Sequence, residues 1–419
     1  MGIKISPLEA CEKMEKMKKI VSEIAYAHDF SKLSPLQRSI IPLLSISSSL
    51  YSLCLCIRLH LYSLRLFTQR RLPVPVISVG NLTWGGNGKT PMVEFISKWF
   101  CNSGICPLIL SRGYAGGDEV KMLRRHLLGT VAKIGVGANR AVTAAWFLRK
   151  YGYTDSRVNG SLGNLLSEKK VDITSEKIAA TILDDGMQHI SLARDLDIVM
   201  VNGLTPWGNN QLVPLGPLRQ PLSALRRVDI VVIHHADLVS EDNLVDLTLR
   251  IQEIKNGLPV FFSRMFPTHF LAVHDFHTKI PLSAVERRVL LCVSAIGSPN
   301  SFVNCVEKLG PLHVDQLHFS DHHMFRFKQD IGEMKRRLVK LQDRFGSSPI
   351  IVTTEKDYDR DHEVLLQLRP FEVLVLCSEL QLVPRSQSSE TSFKKLLKQL
   401  LDRSLGTPAQ VKWSYSASD

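Results

Sequence analysis

VISVGNLTWGGNGKTP, residues 76–91, is the stretch on which the fold turns. A β-branched apolar run ending at Val79 leads into a glycine-rich turn and then Gly88-Lys89-Thr90-Pro91. Proline is tolerated in the first turn of a helix, where its missing N–H is not needed, so the segment reads as strand, turn, helix. Gly85, Gly86 and Gly88 allow backbone N–H groups to turn inward around a phosphate, Lys89 reaches the outer phosphate oxygens, and the Thr90 hydroxyl is placed to ligate Mg²⁺. Residues Thr83, Trp84, Gly85, Gly86, Asn87, Gly88, Lys89 and Thr90 are therefore the expected nucleotide cradle, with Lys89 also catalytic. Thr83 stands where the pattern Gly-x₄-Gly-Lys-Thr has its first glycine.

Working outward, ATILDDGMQH (180–189) is an apolar run that ends in Asp184-Asp185. Adjacent carboxylates at a strand end are the expected second half of a phosphate-loop site, holding Mg²⁺ directly or through water. Further apolar runs at 107–110, 196–201, 228–233, 289–293, 350–353 and 373–376 alternate with helix-length segments. That alternation predicts an α/β fold of P-loop NTPase type, a doubly wound parallel sheet with ligands beyond the carboxyl ends of its strands. A second, smaller α/β lobe is expected after a break near Pro267, His269 and Pro281. The expected division is an extension (1–35), a membrane-associated helical segment (36–71), the kinase core (72–262), a linker (263–284), the second lobe (285–405) and a tail (406–419). The polar stretch from Tyr151 to Glu176 reads as a surface insertion.

The formal charge of +12 favours anionic partners: nucleotide phosphates, a phosphorylated lipid or an acidic membrane surface. No aromatic-basic motif supports nucleic acid, and none is expected as a partner. Ser39 to Ile57 carries no charge, close to the roughly 18–20 residues that cross a bilayer. Six serines and Pro42 dilute it, and Arg58, Arg65, Arg70 and Arg71 follow, so a monotopic helix lying on anionic lipid is preferred to a span. The first residues lack the apolar core of a secretory signal and are rich in glutamate, so any organelle address is weakly encoded; Met14 is a second candidate start. The eight cysteines form no Cys-x-x-Cys pair, and the histidines at 189, 234 and 235 have no metal-ligand spacing around them.

RLPVPVISVGNLTWGGNGKTP, LSRGYAG, GDE, ILDDGMQH, PLGPLRQP, FSDHHMF and TTEKD occur in this order between about Ser39 and Leu382. In these motifs the chain resembles the tetraacyldisaccharide 4′-kinases, including the missing first glycine and the apolar segment before the phosphate loop. The resemblance implies transfer of the ATP γ-phosphoryl group to the 4′-hydroxyl of a tetraacyldisaccharide 1-phosphate, giving lipid IVA, with ATP and Mg²⁺ as cofactors. It implies Asp118 as base, His322 as the partner that orients it, and Asp184 and Asp185 as the Mg²⁺-linked pair. Arg112, Glu119, Arg140, Arg219 and Lys356 fall in matched motifs and are expected to contact nucleotide or substrate phosphate. Gln220 stands where the family usually has an acid. The insertion and the paired histidines at 322 and 323 look like plant-type members, for which a mitochondrial location is expected; for a bacterial-type member it is the cytoplasmic face of the inner membrane.

A P-loop nucleotidase switch or chaperone acting on a protein partner is the competing class. It accounts for Lys89, Thr90 and the aspartates but not for the apolar helix or the Gly117-Asp118-Glu119 and Asp321-His322 motifs, and no Asn-Lys-x-Asp segment is present to read guanine.

Overall fold

The computed structural model describes residues 7–113, 117–154, 176–326, 328–385 and 388–405. Residues 1–6 of the extension, the whole of the expected tail, most of the expected insertion, and residues 114–116 of the LSRGYAG motif lie outside that set. In chain order the helices are α1 (Pro7–Ala25), α2 (Pro35–Ser63), α3 (Lys89–Asn102), α4 (Asp118–His126), α5 (Arg140–Tyr151), α6 (Glu241–Ile254), α7 (Pro299–Glu307), α8 (Asp330–Phe345), α9 (Glu355–Leu365) and α10 (Glu390–Leu405). The strands are β1 (Val76–Gly80), β2 (Cys106–Ser111), β3 (Lys133–Val136), β4 (Ile178–Asp184), β5 (Leu196–Asn202), β6 (Ile230–His234), β7 (Val260–Ala272), β8 (Asp275–Ile280), β9 (Val289–Ser294), β10 (His313–His318), β11 (Ile350–Thr354) and β12 (Val373–Leu382).

All twelve strands form one sheet in the order β10-β9-β11-β12-β7-β6-β5-β1-β4-β2-β3, with β8 paired to β7. The central strands β1, β2, β4, β5 and β6 are buried along their whole length, as near-continuous apolar sequence requires when helices cover both faces. From β3 to β7 the pairing is parallel, and from β10 to β12 it is parallel again. The two halves meet at β7 and β12, which run antiparallel from Leu374↔Ala272 to Leu382↔Ser263. The carboxyl ends of both parallel halves thereby point at one another. The segment expected as a linker is the continuation of β7 and the β8 hairpin, so the sheet passes through it unbroken.

One face of the first half packs α3 and α4 through Met92, Ile96, Phe100 and Leu123. Phe393, Leu397 and Leu401 of α10 join the same cluster, so the last helix returns to the first half rather than to the second lobe, where the sequence boundaries place it. The opposite face is covered by α6 and α5, and the second half packs α8 and α7 on its two faces.

Helix α2 stands apart. Ser34 and Gln37 form a reciprocal cap, Pro35 occupies the first turn, and the helix runs on past Pro42. Ser39, Ser47 and Ser49 donate to carbonyls of their own helix, which hides much of the polarity that dilutes this segment. Ser48 donates to the Leu212 carbonyl and Tyr51 to the Arg219 carbonyl, fixing one edge to the body. Leu43, Ile46, Leu50, Leu53 and Ile57 are exposed at spacings of three and four, a single apolar stripe along the helix.

A buried ion cluster ties α4 to its neighbours. His126 lies between Glu94 (2.8 Å) and Glu355 (2.7 Å), and Arg125 reaches Glu355 (2.9 Å) and Asp359 (2.7 Å). Burial works to lower the His126 pKa, but the two carboxylates outweigh it and push it up to about 9. The protonated ring therefore stabilises the fold fully below its unfolded value of about 6.5, and that contribution is lost as pH rises through about 9. Changing His126 to Gln leaves two buried carboxylates short of a cation and should cost about 3 kcal/mol at pH 7. Urea unfolding of both proteins at pH 7 and pH 10 checks this: the gap should shrink at the higher pH.

Candidate active site

The facing strand ends enclose a cavity of about 730 Å³. One wall is the phosphate loop. Gly88, in the left-handed region at φ 74°, starts α3, and a Cβ there would sit 2.7 Å from the His234 ring. Gly85 is also left-handed, at φ 93°, so both positions need glycine. Thr83 is buried behind the loop, where its Oγ1 accepts from Asn87 Nδ2 at 3.2 Å, and the same amide donates to the Gly85 carbonyl at 3.2 Å. The hydroxyl thus braces the turn from inside, which is how the chain does without the first glycine.

The opposite wall was not foreseen. Residues 296–298, after β9, press against the loop so closely that a Cβ on Gly297 would lie 2.2 Å from the Gly86 nitrogen. Asn202, at the end of β5, donates to the Ser298 hydroxyl at 3.2 Å. No sequence motif marks this contact, because it joins residues more than two hundred positions apart.

At the end of β4 the two aspartates are treated differently. Asp185 is in the left-handed region at φ 53°, a conformation costing about 1–3 kcal/mol outside glycine. Arg219 grips its carboxylate with both nitrogens of its fork (2.9 and 2.8 Å), and Arg140 donates to its carbonyl at 3.0 Å. Arg219 was expected to contact phosphate; in the structure its fork is engaged by Asp185. Burial would raise the Asp185 pKa, but Lys89 and Arg219 outweigh it and hold the carboxyl well below the usual range. Lys89 Nζ is 3.8 Å from Asp185, and burial pulls the lysine pKa down against that attraction.

Asp184 lacks such compensation. Ser111 is 3.4 Å from Oδ2, Oδ1 is buried with no hydrogen-bond partner among the described residues, and burial together with Glu119 and Asp185 pushes the pKa up to about 7. An orphaned carboxylate oxygen beside a second carboxylate and the buried Thr90 fits a hard divalent cation.

Asp118 begins α4 after Gly117 and is buried at 1% exposure. Its Oδ2 lies 3.2 Å from His322 Nδ1, and Arg360 donates to that oxygen from Nε (3.1 Å) and Nη2 (2.8 Å). His322 lines the cavity and Asp118 stands behind it. Lys356 Nζ is 3.4 Å from His322 Nε2, 3.4 Å from Asp321 and 3.3 Å from Glu119. Because an ammonium only donates, Nε2 is the acceptor and the ring proton sits on Nδ1, facing Asp118. Arg112, Glu119 and Arg140 line the same cavity. Gln220 is buried and accepts from Arg227 at 2.6 Å, a contact an amide makes as well as an acid.

The family model for the tetraacyldisaccharide-1-P 4′-kinase, LpxK, matches residues 40–401. The chain belongs to this family. A protein named "Probable tetraacyldisaccharide 4′-kinase, mitochondrial" from Arabidopsis thaliana is 53% identical over 388 residues, covering 93% of this chain and 98% of that one. The tetraacyldisaccharide 4′-kinase of Desulfotalea psychrophila is 32% identical, covering 74% and 85%. The crystal structure of LpxK from Aquifex aeolicus described as the "apo" form in complex with ATP matches with a TM-score of 0.56, at 24% identity, over 87% of this chain and 99% of that one. The fold is thus that of the LpxK kinases: a largely parallel α/β sheet with a phosphate loop and an apolar N-terminal helix.

A Gly297→Ala substitution should displace the loop and raise the KM for ATP about tenfold, equivalent to about 1.4 kcal/mol. Steady-state kinetics with ATP varied, beside a thermal melt showing intact folding, measures it.

Proposed function

We propose that this family member transfers the γ-phosphoryl group of ATP to the 4′-hydroxyl of a tetraacyldisaccharide 1-phosphate, forming lipid IVA and ADP. The observation that carries the reading is a single cavity lined by both the phosphate loop and His322, with Asp118 bonded behind the imidazole. The glycine-rich turn at Gly85–Gly88, the N-terminus of α3 and the Lys89 ammonium line the cavity and suit a polyphosphate tail. Thr90, Asp184 and Asp185 would hold Mg²⁺, which when bound neutralises charge on the outer phosphate oxygens. Arg140 and Arg219 keep Asp185 anionic and oriented.

A sugar hydroxyl is a poor nucleophile near neutral pH, so proton removal assists while positioning does most of the catalysis. In this reading the hydroxyl proton passes to the Asp118–His322 pair as the new O–P bond forms. The bond from the γ-phosphorus to its bridging oxygen breaks, and ADP leaves with that electron pair. Lys356 and Arg112 sit on the cavity wall where further anionic groups of the reactants can be met.

The exposed stripe of α2, followed by Arg58, Arg65, Arg70 and Arg71, suits a helix lying in an anionic lipid surface, where an acylated substrate resides. The printed name of the Arabidopsis relative supports a mitochondrial membrane as the location.

Purified protein given Mg-ATP and the disaccharide 1-phosphate should add one phosphate to the lipid by mass spectrometry. Lys89→Ala should lower turnover about a hundredfold or more; full turnover in that variant removes the phosphate loop from the mechanism. Replacing Ile46, Leu50 and Leu53 by Glu should abolish co-sedimentation with vesicles containing anionic lipid while ATP binding is kept. Unchanged sedimentation would rule out α2 as the docking surface.

A further inference from the structure

The structure assigns to Arg360 a positioning role in phosphoryl transfer: it holds the Asp118–His322 pair in register across the two halves of the sheet. This rests on the reading above, that the pair acts on the acceptor hydroxyl.

Arg360 is on α9, in the second half, and its side chain is 1% exposed. It does not line the cavity, so its charge is not displayed to a ligand. Two of its nitrogens donate to Asp118 Oδ2, the atom that faces His322 Nδ1. The third, Nη1, donates to Asp357 Oδ1 at 2.8 Å and to the carbonyl of His323 at 3.2 Å. One guanidinium therefore fixes both members of the pair: the carboxylate directly, and the imidazole through the backbone of the next residue. Asp357 anchors the arrangement, accepting from the Ala295 N–H (3.2 Å) and from the Thr354 hydroxyl (2.7 Å).

Stability alone is a weak explanation for this cluster. Buried ion pairs are often replaced by apolar residues without loss, because desolvation offsets their attraction. Here Arg360 is shared between two carboxylates, both essentially fully buried. His322 is also held in the left-handed region at φ 61°, with its N–H directed to the Ala295 carbonyl at 3.3 Å. Strain of that kind persists only where the surroundings enforce it.

The titratable and charged groups facing Asp118 are His322, Lys356 and Arg360, and those facing His322 are Asp118, Asp321 and Lys356, with Glu119 beyond the lysine. Burial works to raise the Asp118 pKa; the His322 hydrogen bond, the Lys356 charge and the Arg360 hydrogen bonds outweigh it. Removing Arg360 takes away one of these stabilisers of the anion. Asp118 then binds its proton at higher pH, and any activity that needs the carboxylate is lost sooner as pH falls.

The test uses the full chain with Mg-ATP and the disaccharide 1-phosphate. Arg360→Gln should lower kcat about a hundredfold and leave the KM for ATP within about threefold of wild type. Arg360→Lys should recover most of the rate. A wild-type kcat in Arg360→Gln, or a lowered kcat that Arg360→Lys does not recover, overturns the assignment. Should Arg360→Gln fail to fold, Asp357→Asn loosens the same guanidinium while leaving Asp118 in place. A fall in kcat with unchanged ATP binding in Asp357→Asn then supports the proposal, and wild-type turnover in that variant sinks it. Asp118→Asn separates the two readings: full turnover there removes the catalytic pair itself, whereas a dead Asp118→Asn beside a fully active Arg360→Gln removes only the role of the arginine.

Discussion

The antiparallel pairing of β7 with β12 turns two parallel sheets so that their carboxyl ends face one another. In an open parallel sheet those ends are where loops gather and ligands bind. Here the crevices of two sheets become one, and each half supplies what the other lacks. The first half brings the phosphate loop after β1 and the aspartates after β4, while the second brings Gly297 and Ser298 after β9 and Lys356 after β11. Asp118 and His322 lie 204 positions apart in the chain and meet only because of this junction.

The charges within the cavity follow a consistent division. Two of the carboxylates are each clamped by a guanidinium, Asp185 by Arg219 and Asp118 by Arg360. Asp184 has no such clamp among the described residues and keeps a buried oxygen without a partner among them, an environment that suits a cation. Lys89 is held in the reverse condition, a buried ammonium with one distant carboxylate at 3.8 Å, which suits an anionic guest.

Much of this was legible in the sequence where burial is complete. The central strands are continuous apolar runs because both faces are covered, and their ends were marked by glycine or aspartate. The edge strands β3 and β10 escaped, since KIGV is only four residues long and HVDQLH is mostly polar, and both are only partly buried. The apparent break near Pro267 has a local cause: the β7–β12 register shifts between Cys377 and Ser378, and the proline, which cannot donate to a ladder, sits at that irregularity. The resemblance implied the pairing of Asp118 with His322, which lie 3.2 Å apart, but no motif pointed to the contacts of Arg219 and Arg360. The contact of Arg219 with Asp185 is a tertiary fact that no motif records, and Arg360 went unnoticed because its main contact is 242 residues away.

The hydroxyl at position 83 bears on how the loop meets its guest. A glycine at the start of such a turn is conformationally loose and must be frozen when a ligand arrives. Thr83, pinned beneath the turn by the Asn87 amide, ties the loop into its curved shape through the protein's own bonds. Less ordering is then left to be done at the moment of encounter, so a larger share of the attraction between loop and anion survives as affinity.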